Sequence, residues 1–133
     1  MRRVYVWNAG LLGAHEVDSG YWREWELFRL PGGAGLFVAL HVALFALLVW
    51  GYGEVVEGRR AGAWMSALLA TSGLLVGAVH GTFLATGHPQ FGSPASLAIL
   101  AALAGTSLVQ ATVARAALRS RVEAAPGSSR ASP

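Results

Sequence analysis

From Ala61 to Ala114 the chain carries no aspartate, glutamate, lysine or arginine. A run of that length is accommodated by two bilayer crossings of about 20 residues each. A second uncharged run, Ala34 to Gly53, adds a third. With 54% hydrophobic and 13% charged residues over 133 positions, and a mean hydropathy of +0.49, the chain is too apolar for an ordinary soluble domain. The expectation is an all-α integral membrane protein.

Four spans are expected, at about 4–22, 34–52, 63–85 and 94–118, forming one four-helix transmembrane bundle with a disordered tail at 119–133. The first span is the polar one. Arg2-Arg3 followed by the apolar run Val4 to Ala14 has the outline of a secretory signal, but no small-x-small cleavage site follows it, and the surroundings of a twin-arginine signal are missing. Eleven apolar residues do not span a bilayer, so this helix is expected to continue through His15, Glu16 and Asp18 towards Tyr21, Trp22 and Trp25, shielded from lipid by its neighbours. Helical spacing through the whole stretch puts His15, Ser19, Trp22 and Glu26 on one face, Asp18 at its margin, and Glu16 with Arg23 on a neighbouring face. Pro31-Gly32-Gly33 is the expected stop.

The other helices are simpler. His41 is the one polar side chain between Ala34 and Trp50, and Gly51 to Gly62 reads as a short polar connection. Gly73, Gly77 and Gly81 recur at every fourth position of the third span, a spacing that flattens one helix face and lets another backbone approach. Thr86 to Ser93 is an uncharged turn, with Ser93-Pro94 reading as an N-cap and first-turn proline. Ala101 with Gly105, and Thr106, Ser107 and Gln110, equip the fourth span for close packing and interhelical hydrogen bonds.

Basic residues decide the orientation. All ten are arginines, which with the alanine and glycine content points to GC-rich codons and a bacterial source. An even number of spans collects Arg2, Arg3, Arg59, Arg60, Arg115, Arg119, Arg121 and Arg130 on one side and leaves Arg23 and Arg29 on the other. The positive-inside rule then places both termini in the cytoplasm and the protein in a bacterial inner membrane. Arginines at span ends do not form a nucleic-acid face, so the partners implied are the lipid bilayer and a second membrane protein or copy of the chain.

The candidate site is the polar group His15, Glu16, Asp18, His41 and His80. At about 1.5 Å per residue, His15 lies about 17 Å above the cytoplasmic edge and His41 about 18 Å, with His80 nearer the outer boundary and Gln110 well below. Without cysteine, any metal needs nitrogen and oxygen ligands. The sharp reading is a divalent metal on His15, Asp18, His41 and His80, with Glu16 as an alternative carboxylate and haem as a further cofactor. The plain reading pairs His15 with Asp18 and Glu16 with Arg23, the histidines bonding across helices to hold the bundle together. A proton or small-solute pathway through an oligomer is the third. His15-Glu16 opens like the zincin motif H-E-x-x-H, but Ser19 stands at the second histidine, and no phosphate loop, dinucleotide fingerprint or G-x-S-x-G occurs. The activity is therefore unassigned between a structural or binding role and a metal-dependent enzyme or redox protein.

His15-Glu16-Val17-Asp18, Tyr21-Trp22, Glu24-Trp25-Glu26, Phe28 and Leu30-Pro31-Gly32-Gly33 together resemble the signature of a family of small, uncharacterised bacterial integral membrane proteins, a domain of unknown function. The resemblance extends through His41 and His80 to the 91–93 link. It implies a membrane protein and carries no activity with it.

Overall fold

The computed structural model describes residues 1–88 and 92–123, and among these it contains five helices and no strand. They are α1 (Arg2–Tyr21), α2 (Glu24–Leu27), α3 (Gly33–Val56), α4 (Arg60–Ala85) and α5 (Pro94–Glu123). Helices α3, α4 and α5 are long and apolar enough to cross a membrane. The arginine pair and the polar residues of α1 keep it outside that group, so its expected span rests on packing rather than composition.

Three expectations about boundaries change. The polar stretch is not one helix through Glu26. Trp22 ends α1, Arg23 takes a left-handed backbone with φ 55°, and the chain turns into the single turn of α2. The connection expected over 51–62 shrinks, because α3 continues to Val56 and α4 begins at Arg60. Arg59 in the turn bonds Glu54 through Nε at 2.8 Å and pairs with Glu57. Residues 119–123, expected to belong to a tail, are instead part of α5, which runs through Arg119 and Arg121 to Glu123; 124–133 lie outside the described residues. The 86–93 turn is described except at 89–91, and Ser93 caps α5 as expected, its Oγ accepting the Ser96 N–H at 3.0 Å.

The helices run alternately up and down. Arg2 on α1 donates to the Val56 carbonyl at the end of α3, and Arg121 on α5 donates to the Gly58 carbonyl in the α3–α4 turn. The arginine-bearing ends therefore lie together, with α2 at the opposite end. Helix α4 packs most extensively on α5, α3 lies on α4 and α1 on α5, while the seam between α1 and α3 is sparse. Only 6% of the most apolar window of α3 is buried, against 22% for α4 and for α5, which makes α3 the peripheral helix.

The buried positions follow steps of three and four. Tyr5, Asn8, Leu12, His15 and Ser19 line α1, and Ser96, Leu100, Leu103, Ser107, Gln110 and Ala114 line α5. Alternating steps of this kind keep one stripe facing a neighbour along a gently supercoiled bundle. The stripe stacks into layers. Asn8 Nδ2 donates to Gln110 Oε1 at 2.6 Å and to Ser107 Oγ at 3.1 Å, and Gln110 Nε2 donates to Ser66 Oγ at 3.0 Å. One turn further from the arginine end lie Leu12 on α1 and Leu103 on α5, and beyond Leu12 on the same stripe comes His15. At Gly73 α4 and α5 pack closely: a Cβ there would collide with Ser107 Oγ and crowd Leu103. At Gly77 the same atom would make an ordinary contact with Ala104, and at Gly81 it would meet open space, so the ladder acts mainly through its first rung.

Candidate metal centre

The break at Arg23 makes the site. Had α1 continued, Glu24 would lie beyond the end of the bundle; the turn folds it back until it is buried against α4. There Glu24 Oε1 meets His80 Nε2 at 2.9 Å. The other ring nitrogen, His80 Nδ1, donates to the Val76 carbonyl one helical turn back, at 3.0 Å. A carbonyl only accepts, so Nδ1 holds a hydrogen, and the contact between Nε2 and the carboxylate must then contain one shared proton. Anchoring the far nitrogen on a backbone carbonyl in this way leaves Nε2 as the nitrogen aimed at a ligand.

His15 enters from α1, its ring 4.7 Å from that of His80, edge to face. Its Nε2 lies 3.3 Å from Ser19 Oγ, and the Ser19 hydroxyl in turn hydrogen-bonds Glu24. Serine has one proton to give. When it goes to the carboxylate, His15 Nε2 must be the donor to Ser19, and the His15 lone pair falls on Nδ1. That atom is buried and has no hydrogen-bond partner among the described residues; Trp22 Nε1, at the same end of α1, is the other such atom. An unpaired buried polar atom costs about 1–3 kcal/mol, which a ligand would recover.

One ligand-competent atom from each of His15, Glu24 and His80 lies within 4.8 Å of the others, and all three residues are buried. Two imidazoles and a carboxylate are a donor set for a first-row divalent ion. Glu24, in the link outside the long helices, is held in its charged form. Burial pushes its carboxyl up, but the hydrogen bonds from His80 and Ser19 and the charges of His80 and His15 outweigh burial and hold it below the usual range.

The residues singled out from the sequence divide. His15 and His80 come together. His41 does not join them: it sits on α3 with Nδ1 donating to the Phe37 carbonyl at 2.6 Å and Nε2 at 2.5 Å from Glu16 Oε2, on the α1–α3 seam. Asp18 is half-buried and outside the three-residue group. The expected pairings of His15 with Asp18 and Glu16 with Arg23 are replaced by His15 with Ser19 and Glu16 with His41, and Arg23 pairs instead with Glu26. Glu24 and Asn8 were not foreseen. Asn8 could have been found on the three-and-four stripe with Leu12, His15 and Ser19; Glu24 had no periodic signal, because its position depends on one left-handed residue.

Comparison with curated proteins and with solved structures gave no match. The model of a family of unknown function, DUF6713, matches residues 1–117, which takes in all three residues of the centre. The chain belongs to that family.

Proposed function

We propose that this chain is a four-span membrane protein of a bacterial inner membrane that binds one divalent transition-metal ion through His15, Glu24 and His80, near the non-cytoplasmic end of its bundle. The single observation that carries the reading is the buried, unpartnered His15 Nδ1 in a group whose ligand atoms already lie within 4.8 Å of one another. Ligands around a zinc ion sit about 2.0–2.2 Å from it, so side-chain adjustments bring them into place, and the proton shared by His80 and Glu24 leaves as the metal enters. A haem between the two imidazoles is disfavoured, because rings 4.7 Å apart and edge to face leave no space for a macrocycle.

Membrane placement is supported by the gathering of Arg2, Arg3, Arg59, Arg60, Arg115, Arg119 and Arg121 towards one end, the expected cytoplasmic side. Helix α1 crosses as the fourth span because its polar atoms face protein: Asn8, His15 and Ser19 are all buried. A proton path along the bundle axis has less support, since the buried, apolar Leu12 and Leu103 come between the Asn8 layer and His15 on their helices.

Elemental analysis of the detergent-purified full chain, before and after incubation with zinc and dialysis, tests the reading. About one metal per chain is expected, lost in the His15→Ala, His80→Ala double variant and kept in His41→Ala. No retained metal in the parent, or retention in the double variant, overturns it. Reporter fusions after residue 133 and within 87–92 should report cytoplasm and exterior.

A further inference from the structure

Where α4 begins and α5 ends, three arginines line a hollow of about 390 Å³. Arg60 and Trp64 enter it from the first turns of α4, and Leu118, Arg119, Arg121 and Val122 from the last turns of α5. Its wall is mostly carbon, and the described chain leaves much of that carbon bare, with Trp64 55% and Val122 73% exposed. Polarity changes along the helices: Trp64 lies one turn, about 6 Å, further into the bundle than Arg60, and Leu118 one turn further than Val122.

The charge at this hollow is not neutralised within the chain. Arg59, one residue before Arg60, is spent on Glu54 and Glu57. Arg121 donates through Nη2 to the Gly58 carbonyl at 2.6 Å, which fixes the side chain and leaves its positive charge in place. Arg60 and Arg119 make no side-chain hydrogen bond or ion pair among the described residues, no carboxylate lines the hollow, and Glu123, two residues past Arg121, pairs with none of the three.

We propose that this hollow binds an anionic phospholipid of the leaflet at the arginine end, its phosphate held by Arg60 and Arg119 at the mouth and its glycerol and upper acyl chains laid against Trp64, Leu118 and Val122. Arginine stems lie along apolar surface while their heads reach outwards, so a carbon-walled hollow ringed by arginines offers charge at the rim and apolar surface within. The guanidinium fork matches phosphate oxygens two at a time. A soluble anion would satisfy the arginines and leave Trp64 and Val122 bare; a zwitterionic lipid would cover the carbon but bring a cation of its own towards three arginines. An anionic amphiphile meets both demands. The level is that of the headgroups, where tryptophan and arginine gather at span ends, and basic pockets between helices on the cytoplasmic side take anionic headgroups.

The inference takes the membrane placement from the reading above and does not involve the metal. The full-length chain is reconstituted into vesicles of phosphatidylcholine and phosphatidylglycerol in which one lipid or the other carries brominated acyl chains. Tryptophan quenching is read in the parent and in Trp64→Phe, and the difference is the Trp64 signal. Brominated phosphatidylcholine alone should quench the parent; no quenching would overturn the membrane placement itself. With that quenching present, phosphatidylglycerol is expected at Trp64 with about tenfold preference over phosphatidylcholine, falling to within about twofold in the Arg60→Gln, Arg119→Gln double variant. Both arginines are exposed, so glutamine there leaves the fold intact. Arg2→Gln with Arg3→Gln, which removes the same charge from α1 at the same end, should keep the preference, as should inorganic phosphate exchanged for chloride at constant ionic strength. Equal access of the two lipids in the parent, equal losses in the two double variants, or displacement by phosphate overturns the proposal.

Discussion

His80 with Glu24 and His41 with Glu16 are built alike: in each, Nδ1 donates to the carbonyl one turn back on its own helix, and Nε2 shares a proton with a glutamate from another. Their surroundings differ. The first pair is 4% and 8% exposed, and a second imidazole, that of His15, stands against it; the second pair is 19% and 15% exposed, beside an apolar hollow. The cause is packing. Glu24 is folded under α2 onto α4, while Glu16 faces α3, the helix that buries least of itself. One hydrogen-bonded unit thus ends closed and buried beside a second histidine in one place and next to an open, apolar hollow in the other.

Cutting each pair is the strongest test of that contrast. His80→Ala strands the Glu24 carboxylate in a buried site and should destabilise the chain by about 3–5 kcal/mol, read as unfolding in a denaturing-detergent titration. His41→Ala leaves Glu16 beside an open groove and should cost about 1 kcal/mol. Equal losses would mean that the two seams are energetically alike, and the comparison would fail.

Metal addition separates the pairs by chemistry rather than by strength. Zinc at a hundredfold excess over its dissociation constant should stabilise the parent by about 2.7 kcal/mol, a shift that His15→Ala abolishes and His41→Ala retains. Ser19→Ala probes the relay between His15 and Glu24. It removes the acceptor that fixes the His15 tautomer and the donor to Glu24, so zinc affinity should fall about 10- to 100-fold while metal-free stability moves by about 1 kcal/mol. An unchanged affinity would show that the tautomer is set elsewhere.

The two sites were unequally legible in the sequence. The uncharged runs marked α3, α4 and α5, and helical spacing put His15 and Ser19 on one face, because both signals are local. His15 and His80 are candidates on the sequence, yet the expected group is completed by His41 with Asp18 or Glu16, where the structure has Glu24. Glu24 escaped because Arg23 takes a left-handed backbone, which arginine does not announce as glycine would. The sequence puts His41 at the depth of His15, and the structure sets it against the neighbouring Glu16, but depth does not say which side of α1 a neighbour occupies. That depends on which pairs of helices pack tightly, and the apolar surface of α3 reads the same towards lipid as towards protein.

Glycine substitutions carry the contrast down to its smallest expected effect. A Cβ at Gly73 runs into Ser107 Oγ on the closed side of the bundle, and Ser107 cannot retreat without loosening its bond to Asn8. Gly73→Ala should therefore cost about 1 kcal/mol or more. At Gly13 the same atom reaches only the edge of Phe45, at 3.4 Å, on a seam with room beside it. The ring can tilt into the groove, and alanine gains helix propensity over glycine of up to about 1 kcal/mol. Gly13→Ala should thus lie within about 0.5 kcal/mol of the parent, on either side of zero. A loss there as large as that at Gly73 would show that the α1–α3 seam is as tightly closed as the α4–α5 contact.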